Sequence, residues 1–257
     1  MDDVNAKQLN ASIELLEAAE KGDENKTAEL IQNGAIGAEV NAEVKKGWGA
    51  LMLAAHNGHT KIVKLLVDNG ANVNKTVNEG CSSLMLALRH KQTYIAELLL
   101  QKRPKINSQY KESNALILAL QNKHEQIVEL LLENGADANS YILRNRSPLM
   151  LTSEEGHKDV VKLLIDNGAD VNSSTASFHD HRAVVDLLAN RVNNLNHELS
   201  NGWDAIKIAS KNGHAEVVEL LLQSGADVNT LRSKRWDALS LAKYKGHTCI
   251  VDELKKN

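Results

Sequence analysis

Large aromatic side chains are scarce in this sequence. Phe, Trp and Tyr together make up 3% of the residues, although the hydrophobic share is an ordinary 42%. A single compact core in a chain of 257 residues normally uses more large rings, because each ring buries a large apolar area. Leu, Ile, Val and Ala suit a core made of thin stacked layers. The shortage of aromatics therefore counts against one large globular core.

Several other features are missing, and each absence excludes a class of protein. Two cysteines, Cys81 and Cys249, give no disulfide framework and are typical of a reducing compartment. The polar N-terminus, MDDVNAKQLN, is unlike a secretory signal, and no apolar run approaches the ~18 residues of a membrane span. A net charge of −3 does not favour binding of duplex nucleic acid. These absences predict a cytoplasmic protein.

One motif recurs at a fixed period. Successive copies of a marker asparagine are 33, 33, 32, 33, 24 and 33 residues apart, at Asn41, Asn74, Asn107, Asn139, Asn172, Asn196 and Asn229. A second marker, Gly-His or its remnant, lies fifteen residues before each asparagine from Asn74 onward, at His59, Gln92, His124, His157, His181 and His214. Two markers in phase indicate a repeat architecture with one supersecondary unit per period.

Each period contains two predicted helices. In the second copy, the segment Gly49–His59 is rich in Leu and Ala, and Gly58 lies where a helix end favours a left-handed residue. The segment Thr60–Gly70 has an apolar stripe opposite Lys and Asp, as an amphipathic helix does. The Asn- and Gly-rich stretch that follows predicts a hairpin. The unit is therefore helix, turn, helix and hairpin.

The repeated pattern G-x-x-A-L-M-L-A-A-x-x-G-H-x-x-I-V-x-L-L-x-x-G-A-x-V-N resembles the ankyrin repeat, over nearly the whole chain from about Ser12. The resemblance implies an all-α ankyrin-repeat solenoid. The usual Thr-Pro-Leu-His start of the repeat is eroded in this chain, and only Ser147–Pro148–Leu149 stays close to it. Because the missing Thr and His would form local hydrogen bonds, we expect somewhat looser turns there.

The markers and the resemblance together predict one domain, 1–257, of about eight units. Their approximate bounds are 12–41, 44–74, 77–107, 109–139, 142–172, 173–196, 199–229 and 232–257. The sixth unit is truncated, since eight residues separate Asn172 from His181 where regular units have about seventeen. We expect a weak junction near Ser173–His179, which is either a hinge or simple drift in a tolerant array. Polar changes in the first and last units fit terminal caps.

The resemblance also implies that hairpin tips and inner-helix ends line a concave groove that binds a partner. At these positions the sequence is mainly basic and aromatic, and three tryptophans share one slot just after the hairpin Gly position. Trp and Arg carry much of the energy of interfaces, so these residues mark a binding site. The candidate partner-binding residues are Trp48, Trp203, Trp236, Tyr110, Tyr244, Lys45, Lys46, Arg89, Lys111, Arg144, Arg146 and Lys234.

Two functions of different classes fit such a groove. The first is a monomeric, non-catalytic scaffold for another protein, whose acidic segment is steered by the basic residues and held by apolar anchors. The second is a receptor for a nucleotide or short oligonucleotide, with an indole stacked on a base and Lys or Arg on phosphate. A third interpretation of the tryptophans is purely structural: each ring packs on its neighbouring hairpin and stiffens the tip.

Motifs for catalysis and metal binding are weak. The sequence has no phosphate loop, no GxSxG and no paired cysteines at metal spacing. The cluster of His179, Asp180 and His181 is the best metal candidate, but His181 already serves as a repeat marker and no third ligand is local. We therefore predict that the protein is not an enzyme and uses no metal or cofactor.

Overall fold

The computed structural model describes most of the chain as two compact bodies. The described residues are 2–33, 38–43, 47–77, 80–111, 113–140, 146–172, 203–228 and 236–256. One body comprises Met1–Ala136 and the other Asp137–Asn257. We call them the N-terminal body and the C-terminal body, and each is described by itself.

The helices come in pairs, one pair per repeat, which confirms the predicted all-α class. In the N-terminal body the helices are α1 Asp2–Lys21, α2 Glu24–Gln32, α3 Ala50–Asn57, α4 Thr60–Asp68, α5 Ser83–Arg89, α6 Thr93–Leu100, α7 Ala115–Gln121 and α8 Glu125–Glu133. In the C-terminal body they are α9 Pro148–Glu155, α10 Lys158–Asp166, α11 Ala205–Asn212, α12 Ala215–Gln223, α13 Ala238–Lys245 and α14 Thr248–Leu254. Repeats keep the numbers of the predicted units, so α9 and α10 form repeat 5, and α11 and α12 form repeat 7.

Hairpins link successive repeats, as the Asn- and Gly-rich stretches predict. Strands β1 (Thr76–Val77) and β2 (Cys81–Ser82) pair antiparallel. Single bridges, Glu43 with Gly49 and Tyr110 with Ser113, mark the hairpins before α3 and α7. The first helix departs from the prediction, because α1 begins at Asp2, well before the expected edge at Ser12. Its early residues include no Gly or Pro that would break a helix.

The first helix of each repeat is well capped, so the expectation of looser turns is wrong for most repeats. Five residues at the eroded Thr position each accept a hydrogen bond from the backbone N–H three positions on: Ser82, Asn114, Ser147, Asp204 and Asp237. Ser, Asn and Asp are the best N-cap residues, so the Thr was replaced by chemical equivalents. Gly49 makes no such side-chain bond.

The buried core is aliphatic and consists mainly of Leu, Ile, Val and Ala. Within the N-terminal body, α1, α3, α5 and α7 pack side by side in that order. Within the C-terminal body, α9, α11 and α13 do the same. Among the described residues, Trp203 is the single aromatic side chain in the buried class. This agrees with thin layers as the way to bury a core without many rings.

The Gly-His marker is a contact between consecutive repeats. His59 Nε2 donates to the Glu20 carbonyl at 3.0 Å, and His214 Nε2 donates to the Glu154 carbonyl at 2.9 Å. Each imidazole lies against the glycine that ends the preceding first helix, Gly22 or Gly156, in the space where a Cβ would stand. Glycine is therefore required by its neighbour's histidine as well as by its left-handed backbone.

The marker asparagine makes a second contact between consecutive repeats. Its side-chain amide both donates and accepts a hydrogen bond. Asn139 donates to the Gly168 carbonyl at 2.9 Å and accepts from the Asp170 backbone N–H at 2.7 Å. Asn41 makes the same two bonds to Gly70 and Asn72, at 3.2 and 2.8 Å. The fixed period of Asn thus follows from a hydrogen-bonded ladder along the loops that follow each second helix.

Repeats 5 and 7 are direct neighbours in the C-terminal body. Asn172 donates to the Gly225 carbonyl at 3.3 Å and accepts from the Asp227 N–H at 2.8 Å, which is the ladder of regular neighbours. The His214 contact with Glu154, and packing of α9 on α11, complete the set. The predicted sixth unit, 173–196, and the weak junction at Ser173–His179 lie outside the described residues. Repeats 5 and 7 thus make with each other the contacts that each was expected to make with a sixth layer.

A chain lacking residues 173–196 is expected to keep this interface. The deletion puts Asp204 eight positions after Asn172, the spacing that Ser147 has from Asn139. A connection that is four times shorter has a smaller entropic cost of bringing its ends together. The free energy of unfolding should therefore stay equal or rise by about 1 kcal/mol. Urea unfolding followed by circular dichroism measures this change.

The control is a deletion of equal length, Leu149–Asn172, which removes α9 and α10 and should unfold the C-terminal body. Loss of cooperative unfolding in the 173–196 deletion would show that the interface between repeats 5 and 7 depends on that segment.

Candidate functional site

A pair of positions eight residues apart recurs in several of the repeats that the structure describes. The first is the slot residue just before the helix N-cap, and the second lies in the last turn of the same helix. The Trp48 and His56 rings meet edge to face at 5.7 Å between centroids. The Trp236 and Tyr244 rings meet at 5.2 Å. A slot side chain is therefore held by the end of its own helix.

In the N-terminal body these pairs join into one surface across three repeats. We call it the aromatic–basic surface and define it as Trp48, His56, Arg89, His90, Tyr110 and Lys111. Trp48 and Tyr110 are half-buried against a small cluster of Met52, Val77, Cys81 and Leu86 at the β1–β2 hairpin. The exposed part of each ring therefore forms an aromatic anchor, and this cluster lies behind it.

Two cations flank the Tyr110 anchor. The Arg89 guanidinium lies 5.2 Å from the centre of the Tyr110 ring and the Lys111 ammonium 5.3 Å from it, within cation–π range. Burial raises the pKa of the Cys81 thiol, and the positive charges of Arg89 and Lys111 oppose that shift without cancelling it. Cys81 is therefore a neutral packing residue at neutral pH, and the charge facing this hairpin is positive.

Two imidazoles lie next to the Trp48 anchor and to each other. The rings of His56 and His90 approach to 4.1 Å between centroids, with an interplanar angle of 71°. His56 Nδ1 is buried and makes no hydrogen bond, whereas the His90 side chain is exposed. Partial burial, the neighbouring His56 and the charge of Arg89 together lower the pKa of His90. The surface thus favours negative charge and resists a further positive one.

In the C-terminal body the same positions give a less accessible arrangement. Trp203 is only 7% exposed, and the Lys211 ammonium lies 4.9 Å from the centre of its ring. We expected this indole to be available to a partner. It is buried instead, which agrees with the interpretation that a slot tryptophan packs on its own repeat. Trp236 is half-buried, while Tyr244 is 69% exposed with the Lys245 ammonium 5.3 Å from its ring centre.

Arg146 differs from its expected role as a free positive charge. It occupies the slot of repeat 5 and forms an ion pair with Glu154, eight residues on. Its charge is therefore balanced locally. Four other candidate residues lie outside the described part of the chain: Lys45, Lys46, Arg144 and Lys234.

The family assignment rests on a match to nearly the entire sequence. The family model described as ankyrin repeats (3 copies) matches residues 15–110, 106–175 and 174–257. The chain belongs to the ankyrin-repeat family. Among solved structures it is similar to the crystal structure of the human ASB11 ankyrin repeat domain, with a TM-score of 0.63 and 22% identity over 92% of this chain and 96% of that one. No curated protein matches the sequence significantly.

Ankyrin repeats generally mediate protein–protein interaction and are typically non-catalytic. Within the described ranges, no three or more His, Cys, Asp or Glu residues are grouped so as to hold a metal ion. The candidate cluster at His179, Asp180 and His181 lies outside those ranges. No helix that the structure describes is long and apolar enough to cross a bilayer.

Sequence reasoning missed two members of the surface, His56 and His90. Neither histidine is among the residues that the sequence marked as candidates. The overlooked signal is the eight-residue spacing, which pairs Trp48 with His56 and Cys81 with Arg89. It also pairs Arg146 with Glu154. The spacing therefore accounts both for His56, which joins the candidate site, and for Arg146, whose charge is paired.

Proposed function

We propose that this ankyrin-repeat protein is a non-catalytic scaffold that binds another protein through the aromatic–basic surface. The partner presents an acidic segment with apolar anchors. The observation that carries the proposal is the group of Trp48, Tyr110, Arg89 and Lys111, in which two half-buried rings pack against one apolar cluster and exposed cations lie beside the Tyr110 ring.

Interface energetics favour such a group. Trp, Tyr and Arg are the residue types most enriched among those that dominate binding energy. Positive charges around the anchors steer an acidic partner and raise its rate of association. The net charge of the chain is −3, so the positive character is a local property of this surface.

A protein partner is better supported than a stacked nucleotide. Stacking a base requires an open ring face. Trp203 is 7% exposed, with an ammonium 4.9 Å from its ring centre. The His56 ring lies 5.7 Å from the Trp48 ring between centroids, nearly perpendicular to it. Accessible area at these rings therefore suits side-chain contacts more than base stacking.

Both cysteines are unpaired, Cys81 buried and Cys249 exposed, which supports action in a reducing, intracellular compartment. We further propose that the chain binds its partner as a monomer, which sedimentation with and without ligand would test.

Reversing the two cations is expected to weaken binding of an acidic, Leu-containing peptide. The double variant Arg89→Glu, Lys111→Glu should raise Kd by roughly tenfold or more, because attraction is replaced by repulsion at the anchor. Fluorescence anisotropy with a labelled peptide of this composition measures the change. Higher salt should weaken binding to wild type and affect the double variant little.

The matched control is Lys64→Glu, Lys105→Glu, which makes the same change in net charge at exposed positions outside the surface. An equal loss of affinity in both variants would mean that net charge alone governs binding, and the proposed surface would be wrong. Tighter binding of short oligoadenylates than of the peptide would favour the nucleotide receptor.

A further inference from the structure

His90 departs from a pattern that repeats 2, 4 and 7 keep. In those repeats the residue before the helix-ending position is Asn57, Asn122 or Asn212, and each donates its side-chain amide to a carbonyl of the preceding repeat, at 3.1, 2.5 and 3.1 Å. In repeat 3 an imidazole stands in this place and contacts the His56 ring instead. The position at which a titratable imidazole replaces this hydrogen-bonding amide lies within the aromatic–basic surface.

The charged groups around the two imidazoles are mostly positive or already paired. Arg89 is adjacent on α5, and β2 contributes the Cys81 thiol, which burial keeps protonated. On α1, Glu17 is paired with Lys21 at 3.2 Å and Glu20 is also present. On α4, Lys61 is paired with Glu24, while Lys64 and Asp68 are exposed, and Asp68 also pairs with Lys102. Helix α6 carries Glu97, and α7 carries no titratable side chain.

We propose that binding of the acidic segment is coupled to uptake of one proton by His90. This inference rests on the proposed function, since it needs a carboxylate at the aromatic–basic surface. In the free protein, partial burial, the His56 ring at 4.1 Å between centroids and the adjacent Arg89 together disfavour a proton on the His90 ring. A partner carboxylate beside Arg89 and His90 reverses that balance, because opposite charge favours the protonated imidazole.

The direction of the coupling follows from linkage. Protonation is weaker in the free protein than in the complex, so affinity rises as pH falls through the titration range of the bound imidazole. An Asp-rich peptide stays ionised above pH 5.5, since the ordinary Asp pKa is about 3.9. The change in affinity between pH 7.5 and pH 5.8 therefore reports on the protein.

The test is peptide binding by isothermal titration calorimetry at pH 7.5 and 5.8, with an Asp-rich, Leu-containing peptide. Wild type should bind about three- to tenfold more tightly at pH 5.8, because one nearby charge shifts an imidazole by up to about one unit. Calorimetry in two buffers of different ionisation enthalpy should show net proton uptake near pH 6.5. NMR titration of the His90 ring should give a higher pKa in the complex than in the free protein.

Two variants decide the assignment. His90→Asn installs the residue that repeats 2, 4 and 7 use at this place, and it should bring the ratio of affinities at the two pH values close to one. His157→Gln, which removes a histidine of the C-terminal body that lies 3.6 Å from Glu155, should keep the wild-type ratio. A wild-type affinity that is the same at both pH values overturns the inference alone. An unchanged ratio in His90→Asn does so as well. Absence of peptide binding at both pH values overturns the proposed function and the coupling with it.

Discussion

Replacing Asp204 by Ala is expected to lower the free energy of unfolding by about 3 to 5 kcal/mol, because a buried ammonium loses the carboxylate that faces it. Asp204 and Lys207 are each 2% exposed, and their ion pair spans 3.2 Å. The Asp204 carboxylate also accepts from the Lys207 backbone N–H at 2.9 Å and so caps α11. One side chain balances a charge and satisfies a helix end.

Asp237→Ala is the matched control, since Asp237 caps α13 by accepting from the Ser240 N–H at 2.6 Å. Burial acts to raise the pKa of Asp237, but hydrogen bonds from Ser240 and the charges of Lys243 and Lys207 outweigh it and keep the pKa below its usual value. In repeat 8, Ser240 replaces the buried lysine. This variant should therefore cost the cap and a solvent-screened attraction to the two lysines, about 1 to 2 kcal/mol in all.

Urea unfolding of both single variants and of the double variant Asp204→Ser, Lys207→Met tests the ion pair. The double variant keeps a cap and fills the lysine site with an apolar chain, so it should lie within about 1 kcal/mol of wild type. If Asp204→Ala costs no more than Asp237→Ala, the buried pair does not stabilise the C-terminal body.

Gly156→Ala should destabilise the same body by about 2 to 3 kcal/mol, from left-handed strain and a lost hydrogen bond, less the entropy that Ala removes from the unfolded chain. Gly156 has φ +75°, and a Cβ there would overlap the His214 ring. The ring would have to move and release the Glu154 carbonyl, 2.9 Å away. The link between repeats 5 and 7 would be weakened.

Gly168→Ala separates strain from overlap. Gly168 has φ +83° but a Cβ there meets nothing within 4 Å, so the variant should cost about 1 kcal/mol or less. In a His214→Ala background, adding Gly156→Ala should cost no more than Gly168→Ala does. Equal effects of the two Gly→Ala changes in the wild-type background would contradict the Gly-His contact as a source of stability.

Much of the fold could be predicted from sequence, because the markers report contacts that every repeat must make. The Asn ladder and the Gly-His contact hold consecutive repeats, so their period gives the length of a unit. Exceptions were harder to predict. Lys91 takes a left-handed φ of 58° in a glycine's place, and His124 of the next repeat bonds Thr93 Oγ1 at 3.2 Å instead of a backbone carbonyl. The direct contact of repeats 5 and 7 was not predicted, because the shortened spacing between the markers was interpreted as a truncated repeat.

The candidate site was predicted less well, because slot position alone does not set exposure. Trp48 and Trp203 occupy the same slot, yet one is half-buried and the other is buried. Their partners eight residues on are His56 and Lys211, and the long lysine chain lies over the indole. Whether a ring is covered depends on rotamers and on the adjoining hairpin, which residue types do not specify.

Chemical-shift mapping of the isotope-labelled protein with the acidic, Leu-containing peptide tests the central claim most directly. The account predicts the largest changes at the Trp48 indole N–H and at the backbone amides of Arg89, His90, Tyr110 and Lys111. Changes confined to the exposed faces of α4 and α6, or none at saturating peptide, would contradict it.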